Sequence, residues 1–423
     1  MTELLDRHRR VMGHDAPLFY DEPVELVRGE GVWLHTADGS RVLDLYNNVP
    51  CVGHANPRVA QAIAEQAATL NVHSRYLHAN VVDYVERLVG LHHDGIESAV
   101  LTCTGSEATE TALAMARTVT GNHGLICTDA TYHGNTSLVS KLSDLPVGID
   151  RDGVRSISTP QSFRPLEHGR TEQELCELHL DELARTIESL QVDGLGVAAM
   201  IVCSILANEG LPTPPGKWFR HAAEMVRAAG GVVIADEVQA GFARSGHWWG
   251  YETTGFTPDI VCMGKPMGNG FPISAVAASN DHVTSFRQEH RYFNTFAASP
   301  LQAAAGMAVL DEITDRDLVA GVADVGAHLK AELERMQPAH TEMGDVRGHG
   351  LFLGIDWVNP GTTEPDLAGA AAMVEALKAR GMLLGAAGQH GNVLKIRPPL
   401  VFGREHADLF VAAFAEAAAD AHA

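Results

Sequence analysis

Between about residues 98 and 300, the sequence alternates short apolar runs with longer segments of helical spacing. The apolar runs have the length of buried strands: SAVLTC, GLICTD, VAAMIVCSI, GVVIADEV, DIVCMGK and SAVAAS. Strands that are apolar on both faces and separated by helices are typical of a parallel sheet that helices cover on both sides. The pattern therefore predicts an α/β domain with a mostly parallel central sheet.

The flanking segments predict a smaller α+β domain. An amphipathic arm of about 20 residues precedes VRGEGVWLHTADGSRVLDL, whose ADGS offers turn residues between two alternating stretches. The C-terminal part combines helical segments with the strands GLFLGIDW and NVLKIRPP. We expect residues 1–56 to form the arm and part of the small domain, 57–304 the large domain, and 305–423 the rest of the small domain.

Charge and cysteine usage exclude several classes of protein. Lys plus Arg number 31 against 53 Asp plus Glu, and the net charge of -22 repels nucleic acid and anionic membranes. No apolar run approaches the roughly 20 residues that span a bilayer. The six cysteines show no CxxC spacing and the chain starts without a secretory or transit segment, which predicts a reduced, cytoplasmic protein. We expect no bound metal, because the 22 histidines include no HExxH pattern.

Two apolar runs end in residues that suit catalysis. GGVVIADEV ends near the acids Asp236 and Glu237, and DIVCMGK ends in Lys265 before a glycine-rich turn. The carboxyl ends of parallel strands form the ligand-binding edge of such sheets. An enzyme that uses pyridoxal phosphate (PLP) needs a lysine for a Schiff base and a carboxylate beside the pyridine nitrogen. Taken singly, Asp236 is more simply a helix cap and Lys265 a surface residue, so the hypothesis depends on their combination with other motifs.

A third motif offers a phosphate site. In CTGSEATETALAMARTVTG, the residues Thr104, Gly105 and Ser106 precede a predicted helix with acids in its first turn. Backbone N–H groups at a helix N-terminus can hold phosphate, although Gly-Ser is also a common helix start. Tyr132, in ATYHGNTS, is suited to stacking on an aromatic cofactor and could equally be a core or hinge residue.

The motifs GSEATE, YHG, IADEVQAGFARSG, MGKPMGNGFP, YFNTFAASP and LKIRPPL resemble, in that order and over nearly the whole chain, the class III aminotransferase family. The resemblance implies a PLP-dependent enzyme of fold type I that forms a homodimer with sites at the subunit interface. It also implies these roles: Gly105 and Ser106 bind the cofactor phosphate, Tyr132 and Val238 cover the two ring faces, Asp236 pairs with the ring nitrogen, Gln239 reaches the ring hydroxyl, Lys265 carries the cofactor, and Thr295 contacts the phosphate of the neighbouring subunit's cofactor.

Two further positions concern the substrate and the ring. Arg397 matches the family's anion-binding arginine, which usually grips a substrate carboxylate through two parallel hydrogen bonds. Where many members carry a glutamate after the strand AAMIV, this chain has Cys203 and Ser204, and Glu209 follows several residues later. This departure concerns how the ring environment is tuned and which reactions it favours.

Longer segments resemble one branch of the family, the phospho-lyases that act on ethanolamine phosphate or phosphohydroxylysine and are related to alanine–glyoxylate aminotransferases. They are NNVPCVGHANP, NVHSRYLHANVVDYVERL, YFNTFAASP, GDVRGHGLFLGIDWV and GNVLKIRPPL. The resemblance implies conversion of ethanolamine phosphate to acetaldehyde, ammonia and inorganic phosphate, with Lys265 as the base. The candidate cations for the leaving phosphate are Arg75 and Arg397, although Arg75 could instead pair with a surface acid.

Two alternatives stay open. An ω-aminotransferase that uses pyruvate, glyoxylate or 2-oxoglutarate shares the first half of the reaction, and Arg397 suits both reactions. A non-catalytic PLP-holding or regulatory protein would be favoured by a DNA-binding helix pair or a basic tail, and the sequence shows neither. We therefore expect a phospho-lyase first and an aminotransferase second.

Overall fold

A computed structural model describes residues 2–420 of the chain. Its strands are β1 (Leu26–Glu30), β2 (Trp33–Thr36), β3 (Arg41–Asp44), β4 (Ser98–Thr102), β5 (Gly124–Thr128), β6 (Val154–Ile157), β7 (Val197–Cys203), β8 (Val232–Asp236), β9 (Ile260–Met263), β10 (Ser274–Ala278), β11 (Met343–His349), β12 (Phe352–Trp357), β13 (Met382–Leu383), β14 (Gly385–Ala387) and β15 (Val393–Ile396). Its α-helices are α1 (Thr2–Met12), α2 (Pro57–Thr69), α3 (Ala79–Val89), α4 (Gly105–Thr120), α5 (Glu172–Val192), α6 (Trp218–Ala228), α7 (Asn280–His290), α8 (Pro300–Asp315), α9 (Leu318–Met336), α10 (Leu367–Ala379) and α11 (Arg404–Asp420).

Seven strands form the central sheet, in the order β4-β10-β9-β8-β7-β5-β6. Strands β5 to β9 run parallel to one another, whereas β10 is antiparallel to both β4 and β9. Helix α4 packs against β7, β9 and β10, α6 against β8, and α5 against β6. All seven residues of β7 are buried as a result. The predicted α/β domain with a mostly parallel sheet is confirmed.

The two ends of the chain combine in a smaller α+β domain. Strand β13 pairs with β3 in parallel, with Met382 opposite Leu43, and completes the sheet β1-β2-β3-β13. A third sheet, β11-β12-β15-β14, is antiparallel and packs against α9 and α10. The predicted small domain of N- and C-terminal segments is thereby confirmed. The boundaries at 56/57 and 304/305 stay predictions, and α8 continues unbroken through residues 304 and 305.

A buried ion network joins the third sheet to the large domain. Asp356 on β12 accepts hydrogen bonds from Arg164, Arg347 and Asn392. Burial alone would raise the pKa of Asp356, but the two guanidinium groups hold it below its usual value. Arg347 also donates to the carbonyl oxygen of Gly210, at 2.9 Å. The turn that contains Gly210 is therefore fixed against the small domain.

Within residues 2–420, no helix is both long enough and apolar enough to cross a membrane. In that part of the chain, no three His, Cys, Asp or Glu side chains are grouped so that they could hold a metal ion. The six cysteines are free, and all except Cys103 are buried.

Candidate active site

The carboxyl edge of the central sheet brings Asp236 and Lys265 onto neighbouring strands. Asp236 ends β8 and lies in register with Cys203 on β7 and with Cys262 on β9. Lys265 follows the last residue of β9 by two positions. The acid and the amine predicted from two separate strand ends are therefore adjacent at one edge of the sheet.

Lys265 is an exposed residue, yet protein atoms surround its amine closely. Burial lowers the pKa of the Lys265 amine, the charge of Arg397 acts in the same direction, and Asp236 opposes them. A lowered pKa favours the neutral amine, which is the form that can act as a nucleophile or a base.

Two hydrogen bonds fix the carboxylate of Asp236. Its Oδ1 accepts from the backbone N–H of Val238 at 3.0 Å, and its Oδ2 lies 2.6 Å from Nδ1 of His133. Because a carboxylate can only accept, Nδ1 of His133 carries the hydrogen. His133 is buried, and its Nε2 lies 2.9 Å from Oγ1 of Thr131. The motif YHG contains His133, but only Tyr132 could be singled out from the sequence.

Helix α4 begins at the same edge and presents free N–H groups. Thr104 and Glu107 form a capping box, in which Thr104 Oγ1 accepts from the Glu107 amide and the Glu107 carboxylate accepts from the Thr104 amide. Within residues 2–420, the amides of Gly105 and Ser106 have no protein acceptor. A Cβ atom on Gly105 would lie 3.0 Å from Cγ1 of Val238. A side chain at position 105 would therefore crowd Val238.

Asn208 connects two of the predicted ring contacts. Its Oδ1 accepts a hydrogen bond from Gln239 Nε2 at 3.1 Å, and its Nδ2 donates to the carbonyl oxygen of Tyr132 at 2.9 Å. Oε1 of Gln239 accepts a further hydrogen bond from Arg397. The Tyr132 side chain is 48% exposed. Asn208 thus fixes Gln239 and the backbone of Tyr132 relative to each other, a role that no sequence motif indicated.

Two buried cations, Lys395 and Arg397, lie at the end of β15. They are two residues apart, so their side chains leave the same face of an extended chain. Arg397 donates from Nε to the carbonyl oxygen of Tyr46 at 3.0 Å, and among residues 2–420 neither cation forms an ion pair with an acid. Burial, followed by the charge of Arg397, lowers the pKa of Lys395 to about 7. Lys395 was missed from the sequence, although a lysine inside an apolar strand two positions before Arg397 was a usable signal.

The structure places Arg75 and Thr295 at exposed positions. Arg75 is exposed, and its guanidinium carbon lies 4.0 Å from the ring centre of Phe293. Thr295 is also exposed. Within the described part of the chain, no hydrogen bond or ion pair joins Arg75 or Thr295 to Lys265 or Asp236. Their roles at the phosphates of substrate and cofactor stay predictions.

Cys203 and Ser204 stand where many members of the similar family carry a glutamate. Ser204 contacts a different acid, Glu237. Its hydroxyl donates to the carboxylate of Glu237, which also accepts from the backbone N–H groups of Gly250 and Tyr251 at 2.7 and 2.9 Å. Burial raises the pKa of Glu237 to about 7. Cys203 lies directly beside Asp236 in the sheet. No carboxylate therefore takes the place of the family's glutamate at Cys203 itself.

The residues at this edge fit PLP. Free amides at the positive end of α4, those of Gly105 and Ser106, suit a phosphate group. The fixed carboxylate of Asp236 suits a protonated pyridine nitrogen, and the Lys265 amine suits the aldehyde carbon. A Cβ atom on Gly105 would crowd Val238, so the helix start packs closely against the residue that is predicted to cover one face of the ring.

Comparison with known protein families and sequences gives a consistent result. A family model described as aminotransferase class III matches residues 19–418. The ethanolamine-phosphate phospho-lyase homolog 1 of Caenorhabditis elegans is 34% identical, over 96% of this chain and 90% of that protein. An alanine–glyoxylate aminotransferase 2-like protein of Drosophila melanogaster is also 34% identical, over 98% of this chain and 86% of that protein.

Solved structures extend the comparison to the fold. A phospholyase from Arthrobacter, solved in complex with phosphoethanolamine, is 42% identical to this chain and superposes with a TM-score of 0.94. The match covers 98% of this chain and 99% of the phospholyase. A transaminase solved with L-alanine is 26% identical, with a TM-score of 0.87.

Proposed function

The chain belongs to the class III aminotransferase family, and on this premise we propose that it is a PLP-dependent phospho-lyase acting on an amino-alkyl phosphate, with ethanolamine phosphate as the first candidate. The observation that carries the proposal is the pair of buried cations Lys395 and Arg397 near Lys265, neither of them paired with an acid among residues 2–420. The net charge of the protein is -22, so two unpaired cations in its site favour the binding of an anionic substrate. The likeness to the Arthrobacter phospholyase supports the same substrate class.

The proposed cofactor contacts follow from the fit described above. The amides of Gly105 and Ser106 would hold the PLP phosphate, Asp236 the ring nitrogen, and Gln239 the ring hydroxyl through its second Nε2 hydrogen. When bound, PLP supplies an electron sink for the negative charge that develops on the substrate carbon. The carboxylate of Asp236 would stabilise the protonated ring nitrogen, and the protonated ring withdraws electrons from the substrate carbon.

Lys265 is proposed as the base. Its amine, whose pKa burial lowers, removes the proton from the carbon that bears the substrate nitrogen. The bond between the adjacent carbon and the phosphate oxygen then breaks, and the phosphate leaves with the electron pair towards Lys395 and Arg397. One water is consumed overall, and acetaldehyde, ammonia and inorganic phosphate are released without an oxo-acid acceptor.

We also propose that the active unit is a homodimer in which Thr295 reaches the cofactor phosphate of the neighbouring subunit. Large apolar side chains are exposed near this surface, with Leu77 at 99% and Phe296 at 75%. Exposed apolar side chains that cluster on one surface are typical of a protein–protein interface. Arg75, which stacks on Phe293, belongs to the same surface and would enter the neighbouring subunit's site together with Thr295.

A cytoplasmic location is part of the proposal. The six cysteines are free, and five of them are buried. A chain with this many cysteines and no disulfide suits a reducing compartment. Fractionation of the host cells, followed by detection of the protein with an antibody, tests this location.

The second candidate function is an ω-aminotransferase that uses pyruvate, glyoxylate or 2-oxoglutarate. The likeness to the Drosophila protein described as alanine–glyoxylate aminotransferase 2-like favours it. The buried Arg397 also suits a carboxylate as well as a phosphate. Lys265 would take the same proton in this reaction, so the two functions differ in the fate of the substrate after that step.

Inorganic phosphate release distinguishes the two functions. Purified enzyme is given ethanolamine phosphate without any oxo acid, and phosphate and acetaldehyde are measured, with phosphohydroxylysine in a parallel reaction. The phospho-lyase proposal expects both products in equal amounts from ethanolamine phosphate. No phosphate from either substrate, together with alanine formation from a phosphate-free amine and pyruvate, would establish the aminotransferase instead.

A further inference from the structure

Asn208 is a half-buried residue in the turn after β7, and its backbone is anchored to the small domain. Its main-chain carbonyl oxygen accepts a hydrogen bond at 3.1 Å from the N–H of Gly388, which lies between β14 and β15. Arg347 binds the same turn at Gly210, and a Cβ atom on Gly210 would lie 2.8 Å from Cγ2 of Val393. The position of Asn208 is therefore fixed by contacts on both sides of it.

The side chain of Asn208 has only one orientation that satisfies its neighbours. The carbonyl oxygen of Tyr132 can only accept, so the atom that faces it must be Nδ2, which donates at 2.9 Å. Oδ1 then faces Gln239 and accepts from its Nε2 at 3.1 Å. An inverted Asn208 amide would place two oxygen atoms against each other at Tyr132 and two N–H groups against each other at Gln239.

The orientation of Gln239 is also set from its other end. The guanidinium of Arg397 can only donate, so the atom of Gln239 that faces it must be Oε1. The carbonyl oxygen of Tyr132 and the guanidinium of Arg397 thus impose one direction of donation on the two amides between them. Gln239 is 8% exposed, and among residues 2–420 its Nε2 keeps one hydrogen that no protein atom accepts.

This direction of donation determines what Gln239 can offer to a ligand. Its Oε1 is occupied by Arg397, so a further partner meets an N–H donor rather than an acceptor. A donor beside a hydroxyl favours the ionised oxygen, because hydrogen bonds to charged atoms are the stronger ones. An acceptor in the same place would favour the protonated hydroxyl. The orientation of one amide therefore influences the charge of the ring oxygen of PLP.

We propose that Asn208 is a positioning residue that holds the amide of Gln239 with an N–H group towards the ring oxygen of PLP, which keeps that oxygen ionised. The proposal rests on PLP binding in the proposed function and is independent of which substrate the enzyme uses. Asn208 exerts this effect through Gln239. A residue that only anchored the turn after β7 would stabilise the protein without any preference for a coenzyme with a ring oxygen.

A coenzyme analogue without the ring oxygen, 3-deoxypyridoxal phosphate, isolates this role. Apo-protein is titrated with PLP and with the analogue, and the ratio of the two dissociation constants gives the preference for PLP. We expect Gln239→Ala to reduce this preference by about tenfold, because a hydrogen bond to a charged oxygen is lost. Asn208→Ala should reduce it by about fivefold, because Arg397 still holds one end of Gln239. The visible absorption maximum of bound PLP should shift in the same direction in both variants.

A double variant tests whether Asn208 acts through Gln239. Asn208→Ala combined with Gln239→Ala should have the same preference for PLP as Gln239→Ala alone. Asn392→Ala is the matched control, because Asn392 is a buried amide that donates to Asp356 and to the carbonyl oxygen of Trp357. Among residues 2–420 it has no hydrogen bond to Gln239. Its loss should lower the Tm and leave the preference for PLP unchanged.

Three results would overturn the role of Asn208. They are an unchanged preference in Asn208→Ala, a further loss in the double variant, and an equal loss in Asn392→Ala. Should Asn208→Ala fail to fold, Asn208→Ser, whose shorter side chain does not span the distance to Gln239, has the same expected preference. A wild-type protein that binds neither PLP nor the analogue would instead contradict the proposed function.

Discussion

Lys395 and Arg397 lie on the same face of the extended chain at the end of β15, and the charge of Arg397 adds to burial in lowering the pKa of Lys395 to about 7. Two like charges held together in a buried environment repel each other. A bound phosphate dianion would relieve this repulsion, because it attracts both cations. The two cations therefore predict that the site binds anions preferentially, and this preference can be measured.

Removal of the Lys395 charge should weaken phosphate binding. We expect Lys395→Met to raise the KM for ethanolamine phosphate and the inhibition constant of inorganic phosphate by about tenfold to a hundredfold, because a hydrogen-bonded charge pair is lost. Steady-state kinetics and product inhibition measure both. Lys217→Met, at an exposed lysine, is the control. An unchanged inhibition constant in Lys395→Met would show that phosphate binds elsewhere.

The pH dependence of phosphate binding should follow Lys395. Because its pKa is lowered to about 7, its charge is present below that pH and is lost as the pH rises above it. The KM for ethanolamine phosphate should therefore increase between about pH 7 and 8.5. In Lys395→Arg the charge persists, so the increase should be smaller. Parallel KM profiles of wild type and Lys395→Arg would rule out Lys395 as the cause.

The helix start at Gly105 should tolerate no side chain. In Gly105→Ala the new Cβ would press on Cγ1 of Val238, 3.0 Å away, and we expect PLP binding to weaken by about tenfold. Val238→Ala in the same chain should restore part of the affinity, because it removes the valine methyl group that the new Cβ would contact. Titration of the apo-protein with PLP measures this. Gly321→Ala, where a Cβ would meet no atom within 4 Å, should bind PLP normally.

Loss of the Lys265 amine should abolish covalent attachment of PLP. We expect Lys265→Ala to lose the visible absorption of the lysine-linked coenzyme and at least about a thousandfold of turnover. Borohydride reduction followed by peptide mass spectrometry should find PLP on Lys265 in the wild type and on no peptide in the variant. Persistent turnover in Lys265→Ala would assign the base to another residue.

Shared active sites can be tested by mixing inactive subunits. If Thr295 serves the neighbouring subunit, a hybrid dimer of Lys265→Ala and Thr295→Ala contains one site with both native residues. Co-expression with two affinity tags isolates this hybrid. We expect it to exceed the activity of either parent, whereas a hybrid no more active than the mean of its parents would place Thr295 in its own subunit's site.

Much of the fold follows from local sequence patterns. The strands of the central sheet are apolar runs between helices, so β4, β5, β7, β8, β9 and β10 are all predicted. Strand β6 is not, because Val154–Ile157 is a short edge strand that carries Arg155. Strand β13 has only two residues and exists through its pairing with β3. Such strands depend on tertiary contacts rather than on their own composition.

The residues of the site also divide into those that local sequence patterns predict and those that they do not. Asp236 and Lys265 can be predicted because they lie at or just after the end of a recognisable strand, and Gly105 because it lies at the start of a helix. His133 and Asn208 cannot, because their roles consist of contacts with residues far away in the sequence. Buried polar side chains become identifiable as functional only when their partners are known.

The parallel pairing of β3 with β13 sets an order of events during synthesis. Every strand of the central sheet, up to β10, leaves the ribosome before Met382 does. The large domain can therefore assemble before β13, the last strand of the N-terminal sheet, has been synthesised. During that interval the open edge of β3 is free to pair with another nascent chain, so misassembly of this enzyme would begin at its N-terminal sheet rather than at its catalytic one.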